Sequence, residues 1–214
     1  MKFVYGKQDM VNASRSQENC WLLGNGLGGF SSTTAAFSVT RNDHGILIAA
    51  RTAPNDRVNL VHRLSEKLTV GKREYWLSTQ DFADGKESED GWRHISSFAV
   101  EYGPHWVYEV SGVQLQRRCA VQAGSNTVAV CYRLENRSGE DCTVEITPWM
   151  QFASKGDAPQ KPFKLGFSKG KISGNGLHVR IKTDAELEKT ATAWQNLSYA
   201  YDEKDGRPPV GVVA

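Results

Sequence analysis

Residues 24–29 read G-N-G-L-G-G and satisfy the GxGxxG spacing, with which a dinucleotide-binding turn brings backbone N–H groups against a pyrophosphate. That chemistry needs a strand before the glycines and a helix after them, whose free N–H groups face the phosphates. The following residues 30–39, F-S-S-T-T-A-A-F-S-V, are β-branched and alternating, so the βαβ setting is missing and the motif reads as a loop. A hydrolase triad would need Ser31, His44 and Asp43 to converge, but adjacent Asp43 and His44 point to opposite faces of a strand. A sugar epimerase would pair a histidine acid with a glutamate base. His62, His94, His105 and His178 with Glu74, Glu101, Glu109 or Glu145 supply those types, and no local motif selects among them.

Six tryptophans, at 21, 76, 92, 106, 149 and 194, suit either sugar stacking or a sandwich core. Trp106 and Tyr108 share a strand face and are expected in the core. Trp92 follows an acidic run and is the expected exposed sugar-stacking platform. That run, residues 81–91 with Asp81, Asp84, Glu87, Glu89 and Asp90, reads as a solvated loop whose spacing does not match an EF-hand. Cys20, Cys119, Cys131 and Cys142 form no CxxC pair and have no close histidine, so structural zinc is not expected. Buried thiols inside strands, in a reducing compartment, are the simpler reading. Neither metal nor cofactor is called for.

The elements that must position these groups alternate with period two. Residues 105–110, 127–134 and 142–147 place apolar and polar side chains on opposite faces, and similar runs recur at 45–50, 67–70, 74–77, 94–102, 113–121, 163–167 and 177–181. Asp84-Gly85, Ser138-Gly139 and Asn175-Gly176 punctuate them, the last a pair favoured in tight hairpins. The expected fold is an all-β, large antiparallel sandwich with little helix, occupying 1–214 as a single domain. The one helix-like string, 184–189, is short and serves equally as a polar edge strand. The end, D-G-R-P-P-V-G-V-V-A, suggests a piece of a longer protein cut after a Pro-Pro turn.

Charge excludes other classes. The 214 residues carry 26 basic and 24 acidic side chains, formally +2, without the basic excess of a nucleic-acid binder. No apolar run is long enough to span a membrane as a helix. Residues 1–10, with Lys2, Lys7 and Asp9, lack the apolar stretch of a signal peptide, so a cytoplasmic setting is expected.

Two blocks carry a family resemblance. Residues 18–32, E-N-C-W-L-L-G-N-G-L-G-G-F-S-S, resemble the "E-W-L-x-T-N-G-L-G-G-Y-A-S" opening of bacterial and archaeal glycogen debranching enzymes. Residues 40–50, T-R-N-D-H-G-I-L-I-A-A, resemble that family's "T-R-R-Y-H-G-L-L-V-A-A", in the same order and spacing. Weaker similarity continues through 57–68, 124–130 and 194–206. The resemblance implies an amino-terminal β-sandwich of the large kind also seen in aldose mutarotases. It precedes a helical barrel, absent from these residues, that performs the amylo-α-1,6-glucosidase step. The chain is then expected to be non-catalytic, to dock on that barrel and to help bind α-glucan, with stand-alone carbohydrate binding or mutarotase-like epimerisation as alternatives. The retained residues Asn25, Gly26, Leu27, Gly28, Gly29, Arg41, His44 and Gly45 form the expected interdomain or glycan interface. For the glycine cluster a tight turn is the competing reading. Arg41 is expected to pair with Asp43 or a partner-domain carboxylate, and His44 to donate to a backbone carbonyl. Asn42-Asp43 and Gly24 depart from the family pattern.

Overall fold

Period-two alternation needs a second layer to cover its apolar face, and in the computed structural model, which describes residues 3–85 and 88–214, two antiparallel sheets cover one another. Sheet one has the order β1 (Phe3–Gly6), β9 (Ile95–Val100), β10 (Pro104–Val110), β11 (Val113–Val121), β12 (Val128–Asn136). Sheet two has the order β13 (Cys142–Ser154), β5 (Asp56–Val70), β4 (Gly45–Thr52), β3 (Phe30–Thr34), β2 (Cys20–Gly24), with β6 (Arg73–Trp76) also on β5. The expected all-β antiparallel sandwich is what forms. Two five-residue α-helices, α1 (Ala13–Gln17) and α2 (Ala200–Lys204), are the α-helical segments among the described residues.

In sheet one the pattern is clean. Trp106 and Tyr108 of β10 and Leu115, Arg117 and Cys119 of β11 are buried, while the intervening residues reach solvent. Trp106 meets Trp21, Phe37 and Phe98 at ring-centroid separations of 5.8, 5.2 and 5.0 Å, and its indole N–H donates to the Ala35 carbonyl at 2.7 Å. The core also contains a charge pair. Arg117 of sheet one bonds Glu66 of sheet two, Tyr132 donates its hydroxyl to the same carboxylate, and the guanidinium lies 3.3 Å from the centre of the Phe37 ring. Burial pushes the Glu66 carboxyl upward against the pull of Arg117 and Tyr132.

Sheet two loses its alternation because it is covered twice. From Val58 to Glu66 every residue of β5 is buried. The outer cover consists of β7 (Thr79–Asp81) with β8 (Ser88–Asp90), and of β17 (Gln195–Ser198), α2 and β18 (Val210–Val213). Val39, Trp149, Leu197, Tyr199 and Val213 make a second apolar cluster beneath that cover. Strands buried on both faces read as continuous runs rather than alternation.

Several expectations are corrected here. The acidic run is a hairpin rather than a solvated loop: Glu89 is 3% exposed, pairs with Arg63 and accepts from Ser78 at 2.6 Å. Glu87 of that run, like Lys2 of the amino terminus, lies outside the described residues. Residues 184–189 form neither helix nor strand and are exposed. Independently of these corrections, Pro208 and Pro209 join α2 to β18, and Ala214 exchanges backbone hydrogen bonds with Met150 at 3.0 and 2.6 Å. Of the four free cysteines only Cys119 is buried; Cys20 and Cys131 are exposed.

A third small sheet, β14 (Gly166–Ser168), β15 (Lys171–Gly174) and β16 (Leu177–Arg180), leans Ile172, Leu177 and Val179 on the main core. Asn175 and Gly176 have φ of 49° and 75°, so the expected tight hairpin connects β15 to β16.

Candidate functional site

The glycine loop closes the β2–β3 hairpin. Asn25 is 2% exposed; its N–H donates to the Gly29 carbonyl at 2.9 Å, and its side-chain oxygen accepts from Leu27 N–H at 2.8 Å. Its amide nitrogen donates to the Ser125 carbonyl and to Asn126 Oδ1 at 3.1 and 3.0 Å. Asn126 in turn exchanges hydrogen bonds with the Ala50 backbone at 3.0 and 2.7 Å. Two asparagines therefore tie the β11–β12 turn of sheet one to the β2–β3 and β4 ends of sheet two. Gly28, at φ 96°, lets the loop pass the Pro54 carbonyl, which an added Cβ would meet at 2.2 Å. Gly26 and Leu27 remain accessible at the tip.

The second block makes the turn between β3 and β4. His44 N–H donates to the Arg41 carbonyl at 3.1 Å, and His44 Nδ1 accepts from Thr40 N–H at 3.2 Å. The expected donation from His44 to a carbonyl is thereby corrected for Nδ1. Burial drives the His44 pKa down to about 4, helped by the Arg41 charge, so the ring is neutral near pH 7. The turn is pinned to α2: Asn42 N–H donates to Asp202 Oδ2 at 2.6 Å, and Tyr201 N–H to the Thr40 carbonyl at 3.1 Å. Gln151 donates to Asn42 Oδ1 at 2.6 Å. The Asn42-Asp43 departure thus has a local role, with Asn42 gripping both β13 and α2.

Around that turn lies a half-exposed ring of charge. Arg41 pairs with Asp205, stands 3.9 Å from Asp202 and covers the Tyr201 ring at 5.3 Å, so its partners are on α2 and the residue after it rather than Asp43. Asp43 pairs with Lys155 at 2.9 Å and Arg207 at 3.2 Å. Burial would raise the Asp43 pKa, but those two cations overcome it and hold the carboxyl below its ordinary range. Beneath the ring runs a buried polar chain. Asn59 donates to the His44 carbonyl at 2.8 Å and sits 2.9 Å from His62 Nδ1, and His62 Nε2 sits 2.9 Å from the Tyr199 hydroxyl. With Asn59 as donor, His62 carries its proton on Nε2 and donates it to Tyr199. Burial, with the neighbouring His44 and Arg63, takes His62 down to about 3.

A model of the family described as "Glycogen debranching enzyme N terminal" matches residues 19–213. The chain belongs to that family. Searches of curated proteins and of solved structures returned no match. The match takes in residues 19–32 of the first motif block and all of the second, yet the structure separates them. Phe30 pairs with Ile48 and Ser32 with Gly45, so the glycine loop and the 40–45 turn sit at opposite ends of β3, roughly 15 Å apart at strand rise. Asn25, Gly26, Leu27, Gly28 and Gly29 form one feature; Arg41, His44 and Gly45 form another.

Other residues singled out as catalytic types do not converge. Ser31 is buried with an unpartnered hydroxyl, and Asp43 is engaged by Lys155 and Arg207. His94 stands edge-on to Tyr75 at 5.6 Å, while His178 lies on β16. Among the described residues no group of three His, Cys, Asp or Glu is placed to hold a metal ion. No helix among them is long and apolar enough to cross a membrane. Trp92 is half-buried with the Arg93 guanidinium 4.8 Å from its ring, so it is not the open platform expected; Trp194, 48% exposed, is the more accessible indole. Asn126, Asp202 and Tyr199 escaped the sequence reading. The weaker family similarity at 124–130 and 194–206 covered all three, and beyond the G-S-N-T string at 124–127 no local pattern singled any of them out.

Proposed function

We propose that this chain serves as the non-catalytic amino-terminal domain of a cytoplasmic glycogen-debranching glycoside hydrolase. It docks on the helical barrel that performs the hydrolysis and helps hold α-glucan at the barrel's entrance. The observation that carries the reading is the 40–45 turn. A family block is fastened from below by Asp202, Gln151 and Thr40, and it presents Arg41, Asp43, Lys155 and Arg207 as a fixed, half-exposed set of charges. Such a set suits a polar domain–domain contact, where complementary charge fixes register. The four unpaired cysteines suit a reducing cytoplasm.

The test is hydrogen exchange on this chain with the barrel domain added in trans. Amides of 40–45 and 200–207 are expected to slow; unchanged exchange there would remove the docking reading. Titration calorimetry with maltoheptaose and glycogen, assayed for released glucose, addresses the glucan. Heat without glucose supports glucan holding, and glucose release would overturn the non-catalytic assignment.

A further inference from the structure

Charge along this chain is unevenly placed. Between Lys155 and Lys182 seven basic residues face a single acid, Asp157, within a molecule of formal charge +2. The topology places two of those seven, Lys171 and Arg180, on one face of the β14–β15–β16 sheet. The side whose Ile172, Leu177 and Val179 meet the core leaves the other side to Gly166, Ser173 and His178 in one cross-strand row, and to Ser168, Lys171 and Arg180 in the next. Lys171 and Arg180 are directly opposed in the antiparallel register. Like charges so placed destabilise a sheet. Neither of them, nor Lys164, reaches a carboxylate within ion-pair distance among the described residues. Asp184 and Glu186, on the segment that follows, leave these cations unpaired as well.

The face is also concave. An open cleft of about 460 Å³ has Lys164, Lys171, Ser173 and His178 in its lining, together with the apolar Leu165 and Leu177. That volume falls in the range of small-ligand sites. Gly176, at φ 75°, has nothing within 4 Å of where a Cβ would stand, so the backbone at the rim is open to approach. Two ammonium groups, a hydroxyl, an imidazole and a bare glycine backbone around one hollow are the donors that a tetrahedral dianion takes. The exposed rows contain no tryptophan, tyrosine or phenylalanine, and His178 is their one ring, too few for the successive stacking platforms of a single-stranded nucleic-acid groove.

From these observations we infer that the cleft on the β14–β16 sheet is a binding site for a phosphate monoester of hexose size. The cations repel one another in the empty fold and are brought into balance by the ligand. The phosphate arrives either on a free sugar or as an ester on a glucan chain. This site is distinct from the docking surface around Arg41; the phosphate site stands on its own residues, and the choice of a sugar as the phosphate's carrier rests on the α-glucan reading above.

The test is an amide NMR titration of the 214-residue chain with glucose 6-phosphate, inorganic phosphate, glucose and a phosphorylated α-glucan. Glucose 6-phosphate is expected to move Gly166, Ser173, Gly176 and His178, with affinity falling as salt rises, and glucose alone is expected to leave them in place. A response to the phosphorylated glucan without one to glucose 6-phosphate would assign the ester on the polymer as the source. Lys171→Thr is expected to weaken binding about tenfold while the thermal midpoint holds or rises, because it relieves the opposition to Arg180. A residue kept for folding would instead lower that midpoint. Absence of any phosphate-dependent shift, binding indifferent to Lys171→Thr, or binding of polyaspartate or an oligonucleotide in place of the monoesters would overturn the assignment.

Discussion

Gly26 and Gly28 both sit in the left-handed region, at φ 79° and 96°, but only Gly28 has a backbone carbonyl where its Cβ would go. Gly26→Ala is therefore expected to lose about 1 kcal/mol from the φ penalty alone, and Gly28→Ala several times that. Urea midpoints of the two variants check the ordering, and equal losses would mean that the contact with Pro54 is not close. The buried histidines give a second residue-scale expectation. Their folded pKa values, about 4 for His44 and about 3 for His62, lie below the ordinary 6.5. As pH falls below 6.5 the unfolded chain takes up protons that the folded chain refuses, so their contribution is whole above that pH and is lost as it falls toward the folded values. Each should withdraw about 1.4 kcal/mol per pH unit within its window. His62→Gln should make the acid limb of stability against pH shallower by about that amount; a superimposable profile would show that His62 is not titrating there. Both histidines were visible in the sequence, but their neutrality follows from layers that no local pattern announces.

Strand existence was legible element by element. The runs at 105–110, 113–121, 127–134 and 142–147 became β10, β11, β12 and the first part of β13 because one-sided burial leaves a period-two trace. Where burial is two-sided the trace fades, and of the 15 residues of β5 only the run at 67–70 was visible as a strand. The link between the two sheets was not legible at all, since Glu66 and Arg117 are 51 positions apart. Glu66→Gln should cost about 3–5 kcal/mol in chemical denaturation, because it leaves the Arg117 charge buried without its partner. Replacing both, as Glu66→Met with Arg117→Met, should restore most of that. If the double variant is no more stable than the single, the pair is not coupled as the contacts indicate.

At the scale of the molecule, the sandwich, the outer cover of β7, β8, β17, α2 and β18, and the small β14–β16 sheet share apolar contacts. The second cluster joins the cover to Trp149 of β13, and Phe152 of β13 meets Phe163 beside the small sheet with ring centres 6.4 Å apart. One cooperative unfolding transition is expected, with far-UV circular dichroism, tryptophan fluorescence and the amide signals of β14–β16 coinciding. An earlier transition confined to the small sheet would divide the single domain expected from the sequence. Alternation, turn residues and the two motif blocks determined by themselves the all-β class and the family, because each is a local property carried by neighbouring residues. Tertiary structure alone decided that Glu89 is buried, that Arg41 faces Asp205 rather than Asp43, and that the glycine loop and the 40–45 turn lie at opposite ends of β3. The physical reason is that a strand's own residues set which faces it has, whereas long-range register and the layers packed on it set what each face meets.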